Sequence, residues 1–99
     1  MMSKTSKKEH SSLLDKAWGL YRKGNFEAAL ALFEEEIENN ESHMALYGRA
    51  CALFRCEEYD DAVRDVKKLL KKDGNDRDAL YLHVYIQGAM GKYESVIRD

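Results

Sequence analysis

Apolar positions recur along this chain at the spacing of a helix face. Leu13, Ala17 and Leu20 stand at i, i+4 and i+7, and so do Leu46, Ala50 and Leu53. A second kind of segment follows each of these. The first carries Phe26, Ala29, Leu30, Phe33 and Ile37, and the second carries Tyr59, Ala62, Val63, Val66, Leu69 and Leu70. The pattern predicts helix, short turn, helix, twice over. Gly24 and Gly91 fall at turns, where a left-handed C-cap is wanted, and Glu57 holds the equivalent place between them. Asn25 can cap the helix that follows it. Upstream, Ser11 and Ser12 offer N-cap oxygens, and Asp15 completes an imperfect capping box three residues after Ser12. Order is expected to begin there. Residues 1–10 have no apolar periodicity and read as a flexible N-terminal arm.

The segments repeat. Asn25-Phe26-Glu27-Ala28-Ala29-Leu30 lies over Glu58-Tyr59-Asp60-Asp61-Ala62-Val63 at a shift of 33, and over Lys92-Tyr93-Glu94-Ser95-Val96-Ile97 after a further 34. Each copy reads polar, aromatic, acidic, polar or small, small or β-branched, aliphatic. The same shifts carry Leu13 to Leu46 to Leu80, and Ala17 to Ala50 to Val84. The units run over about 11–42, 43–75 and 77–99, the last incomplete, so that residues 11–99 form one domain.

These residues resemble the tetratricopeptide repeat, a pair of antiparallel helices in 34 residues. The small residue of its first helix matches Ala17 and Ala50, and that of its second helix matches Ala29 and Ala62. The chain departs from the family where tryptophan is usual, at Leu13, Leu46 and Leu80, and where proline closes the unit, at Glu41 and Gly74. The resemblance implies an all-α fold, a right-handed superhelix of antiparallel helix pairs (an α-solenoid) with about two and a half repeats. Small residues let such helices approach to about 8 Å.

The resemblance also places the first helices of successive units on an inner, concave surface. The stripe beside the core stripe then faces a groove. It holds Leu14, Trp18 and Tyr21, then Tyr47, Cys51 and Phe54, then Tyr81 and Tyr85. Two readings of this stripe stay open: internal packing of a tight superhelix, or a groove for an apolar or amphipathic peptide segment. The co-chaperone branch of the family grips a C-terminal carboxylate with Lys, Asn and Arg. The matching positions here are Leu14, Trp18, Gly48, Asp78 and Leu82, none of the required type. Binding of such tails is not expected. Chaperones of bacterial type III secretion hold apolar segments with similar repeats, and the likeness to them is one of fold.

Helix 79–90 of the third unit is apolar almost all round, as buried helices are. Its open end implies that a longer chain continues or that another chain covers it. A homodimer through Leu82, Ile86 and Met90 is the alternative function, a structural oligomerisation module.

Charge changes the picture little. There are 16 basic and 18 acidic residues, a net charge of −2, which argues against a nucleic-acid binder. The second helix of unit one is acidic (Glu27, Glu34, Glu35, Glu36, Glu38). That of unit two is basic over its latter part (Arg64, Lys67, Lys68, Lys71, Lys72), so the two are expected to complement each other on the outer surface. No apolar run approaches the ~20 residues of a membrane span. Cys51 and Cys56 sit roughly 140° apart on a helix and cannot pair there, which fits a reducing cytoplasm. His10, His43 and His83 lack metal-ligand spacing, and no catalytic motif is present. No enzyme activity, cofactor or metal is expected. The sequence thus reads as a scaffold or adaptor module for a protein or peptide partner.

Overall fold

The computed structural model describes the backbone of residues 2–98 and the side chains of residues 12–91. Five helices follow one another: α1 (Met2–Arg22), α2 (Phe26–Asn39), α3 (His43–Arg55), α4 (Tyr59–Lys72) and α5 (Arg77–Arg98). α1 packs on α2 and α3 on α4, as the repeat requires, and each second helix packs on the first helix of the next unit.

The turns inside the two complete units are the same device. The Asn25 amide donates to the Leu20 carbonyl (2.9 Å) and the Gly24 amide to Tyr21 (3.0 Å). In unit two the Glu58 amide donates to Leu53 (2.8 Å) and the Glu57 amide to Phe54 (3.0 Å). This is the Schellman pattern, and it needs a left-handed residue at its C′ position. Gly24 supplies it with φ +86° and Glu57 with φ +65°. The helices after the longer connections start on side-chain caps. Ser42 accepts from the Ala45 amide (3.2 Å), and Asp76 Oδ1 accepts from the Ala79 amide (3.2 Å). Asn25, by contrast, makes no side-chain cap for α2.

The small residues lie where the helices meet. Ala17, Ala29, Ala50 and Ala62 are all fully buried. Ala17, Ala29, Phe33 and Ala52 form one cluster, joining unit one to α3. A larger one gathers Leu46, Leu53, Ala62, Val66 and Leu69 with Ala79, Leu82 and Ile86 of α5. A partly buried ion pair fastens α3 to α4: Arg49 donates from Nε and Nη2 to the two carboxylate oxygens of Asp65, each at 2.8 Å.

Three expectations change. The backbone of α1 is helical from Met2, so Ser11 and Ser12 stand inside the helix and not at its start. No proline or glycine precedes Gly19 to break it. The reading of residues 1–10 as an arm concerns side chains outside those described. The predicted turn at Gly91 does not form, because α5 runs through it. Val84 and Val96 replace the alanine pair that lets the helices of units one and two cross closely, so a hairpin here loses its tight crossing. The outer acidic and basic helices, finally, form no ion pair with each other among the described residues, although Glu34 of α2 lines one cleft with Asp61, Arg64 and Asp65 of α4. Lys68 of α4 pairs with Glu41 of the α2–α3 connection.

Candidate partner-binding surface

The backbone of α3 approaches those of α1 and α5 closely, whereas the backbones of α2 and α4 lie further from each other. The first helices therefore line the inner side of the stack, and the inner stripe is the candidate surface.

Its first half closes on itself. Trp18 meets Tyr21 and Phe33 edge to face, with centroids 5.3 Å and 5.0 Å away, and Tyr47 at a tilt, 6.1 Å away. Tyr21 continues the chain of rings to Phe26 at 5.2 Å. Arg55 lies over the Tyr21 and Phe26 rings and donates from Nε to the Tyr21 hydroxyl (3.2 Å). These contacts cover part of each ring, and Leu14, Trp18, Tyr21, Tyr47 and Phe54 are half-buried. Phe54 leans on Tyr59, 5.8 Å away. Cys51 is deeper: it is buried in the core and forms floor, not lining. Burial pushes its thiol up to about 11, against the opposing hydrogen bond from Tyr47. Burial likewise raises the Tyr47 hydroxyl. Neither group is an acid–base candidate at neutral pH.

The second half is open. Tyr81 and Tyr85 of α5 are 62% and 65% exposed. Tyr81 follows Tyr47 in the repeat, and Tyr85 follows Cys51. His43 stacks on Tyr47 (6.5 Å, 17°) and hydrogen-bonds through Nε2 to Asp76, the residue that caps α5. Burial disfavours the Asp76 carboxylate, but the bonds from His43 and the Ala79 amide outweigh this and hold its pKa below the usual range. The N-terminal ends of α3 and α5 are thereby tied together.

The proposed oligomer residues divide. Leu82 and Ile86 are not at a surface: they are buried in the chain's own core, Ile86 completely. Their face of α5 is taken by α4 and α3, so they are unavailable to a second copy. Met90 remains partly exposed. The residues that sequence reasoning missed are Leu80 and Val84, 42% and 65% exposed. The signal was available. Their equivalents Leu46 and Ala50 are fully buried, because units one and two each have a second helix to cover that face. Here α5 instead runs on as one helix through Gly91.

Among the described residues no three His, Cys, Asp or Glu side chains are grouped to hold a metal. No helix among them is long and apolar enough to cross a membrane. A family model described as tetratricopeptide repeat matches residues 14–77. No curated protein and no solved structure gives a significant match. The matched span begins at the first inner residue, Leu14, and ends in the first turn of α5, so it takes in both Schellman turns, the buried Ala17, Ala29, Ala50 and Ala62, and the cap residues Ser42 and Asp76. On these grounds the chain belongs to the tetratricopeptide repeat family, whose units generally mediate protein–protein interaction.

Proposed function

We propose that the chain is an adaptor module that holds an apolar or amphipathic peptide segment on its inner face. The observation that carries this is the exposure of Tyr81 and Tyr85, in the columns that Tyr47 and Cys51 hold in the unit before. Tyrosine offers a large contact area with few rotors, and such residues dominate binding energy where they are enclosed. The clustered rings of Trp18, Tyr21 and Phe26, joined to Tyr47 through Trp18, make a stiff wall across α1, α2 and α3, which lowers the ordering cost of binding. A cytoplasmic setting belongs to the same proposal and is supported by the free thiols of Cys51 and Cys56.

Trp18 is the sole tryptophan and reports on this wall. Its fluorescence is to be followed while amphipathic helical peptides with apolar residues at i, i+3 and i+4 are added, with sequence-scrambled versions as controls. The patterned peptides should bind, and Tyr81→Ala or Tyr47→Ala should weaken them by about tenfold or more. Affinity unchanged by both substitutions would remove the inner face from the account.

A second reading, self-association through the uncovered part of α5, is favoured by the exposure of Leu80 and Val84.

A further inference from the structure

The turn of each complete unit carries a pair of rings. Tyr21 ends the inner stripe of α1 and Phe26 opens α2, with centroids 5.2 Å apart. At the repeat shift of 33, Phe54 and Tyr59 hold the same two positions with centroids 5.8 Å apart. The two pairs differ in what lies on them. A cation from the next unit sits over the first. The guanidinium carbon of Arg55 is 5.9 Å from the centre of the Tyr21 ring and 5.3 Å from that of Phe26, within the ~6 Å reach of a cation–π interaction. One unit on, the column of Arg55 holds Ala89. That column therefore brings no cation to the second pair. In its place is a cleft of about 420 Å³, lined by Glu57, Glu58, Tyr59, Asp60, Ala89 and Met90.

Charge separates the two places further. The turn of unit one reads Gly24, Asn25 and Glu27, one carboxylate to the one guanidinium. The same columns of unit two hold Glu57, Glu58 and Asp60, three exposed carboxylates, and no basic residue lines the cleft. They outweigh the roughly +0.5 charge of the α4 N-terminus. Glu57 stands there against its backbone, whose φ of +65° suits glycine, the residue at Gly24. The turn by itself asks for glycine, so this carboxylate adds to the field of the cleft at a cost to the fold. A ring beneath carboxylates suits arginine above other side chains. Guanidinium is weakly hydrated, stacks on aromatic faces and donates to carboxylates through a planar fork.

We infer that the cleft between the start of α4 and α5 receives an arginine side chain of the partner segment, as the Tyr21–Phe26 pair receives Arg55. Phe54 ends the inner stripe of α3, and Tyr59 of the cleft leans on it. The cleft therefore adjoins the end of the proposed groove. The inference rests on the inner-face reading and deepens it: the segment is apolar along the groove and carries an arginine at one end.

Calorimetric titration of the 99-residue chain with amphipathic helical peptides measures the preference. Arginine is placed at either end in separate peptides, and each is compared with its citrulline counterpart, which keeps the shape of arginine without the charge. At one end the arginine peptide should bind about threefold to tenfold tighter than the citrulline peptide. That margin should shrink when salt is raised from about 20 mM to about 0.5 M. Glu57→Gly should act with opposite signs on two readouts, raising the thermal midpoint while reducing the margin. Ala89→Arg rebuilds the arrangement of unit one in unit two and should abolish the margin. Glu57 is exposed and Ala89 half-buried, and an unchanged helical spectrum shows that each variant is folded. Equal affinity for arginine and citrulline at both ends overturns the inference and leaves the inner-face reading standing. So does a margin that neither variant moves. A margin that appears only after Lys92→Met, three residues beyond Ala89, means that the chain fills its own cleft, and overturns the inference as well. Failure of every peptide to bind overturns both.

Discussion

The backbone of Gly48 in α3 rests on the ring of Phe33 in α2: a Cβ at Gly48 would lie 2.2 Å from Phe33 Cε1. Phe33 is fully buried, clustered with Ala17, Ala29 and Ala52 and met by the ring of Trp18. This contact sets how closely unit one stacks on unit two. Gly48→Ala should lower stability by about 3 kcal/mol through overpacking, against its better helix propensity. Urea unfolding followed by circular dichroism measures this, and a midpoint equal to that of the wild type would show that the units stack with slack.

The two Schellman turns make a paired prediction. Glu57 holds a left-handed conformation that suits glycine, and Gly24 already has the suitable residue. Glu57→Gly should therefore stabilise the chain by about 0.5–1 kcal/mol, and Gly24→Ala should destabilise it by about 1 kcal/mol. Thermal unfolding of both variants reads the two signs together.

Arg49 and Asp65 differ in what their loss leaves behind. Asp65 is almost wholly buried, and Arg49 keeps about a quarter of its side chain in solvent. Arg49→Met strands the carboxylate and should cost about 2–3 kcal/mol, somewhat less than a fully buried pair. The double variant Arg49→Met, Asp65→Leu should recover most of that loss. A double-mutant cycle by chemical denaturation gives the coupling.

Asp76 makes stability depend on acid. Its folded pKa lies below the unfolded value of about 4. The unfolded chain therefore binds that proton first as pH falls. The contribution is present in full above about pH 4 and is lost as pH drops through the folded pKa. Asp76→Asn should lower stability at pH 7 and flatten its fall between about pH 5 and pH 3. Unfolding free energies of both chains across that range check the slope.

Much of the fold was legible because it is local. The period of Leu13, Ala17 and Leu20 gives a helix face, and the 33-residue shift gives its partner. Even the left-handed position at Glu57 follows from its alignment with Gly24. What was not legible depends on which face of a helix has a neighbour. Leu82 and Leu80 are equally apolar two residues apart, and only the packing of α4 and α3 decides that the first is buried and the second exposed. Cys51 and Tyr85 share a column and yet differ for the same reason: one is covered by its surroundings and the other is not. The turn at Gly91 failed because a glycine permits a left-handed C-cap without compelling it. The packing of a second helix must hold the hairpin closed, and a valine at each crossing position weakens that packing.

The central claim is that the inner face of the first helices receives an apolar segment. It is tested most directly by recording amide spectra of the isotope-labelled chain while an amphipathic helical peptide is added. The account predicts that the largest shifts gather around Trp18, Tyr47, Tyr81 and Tyr85. Shifts concentrated on the outer faces of α2 and α4, with the inner residues unmoved at saturation, would contradict it.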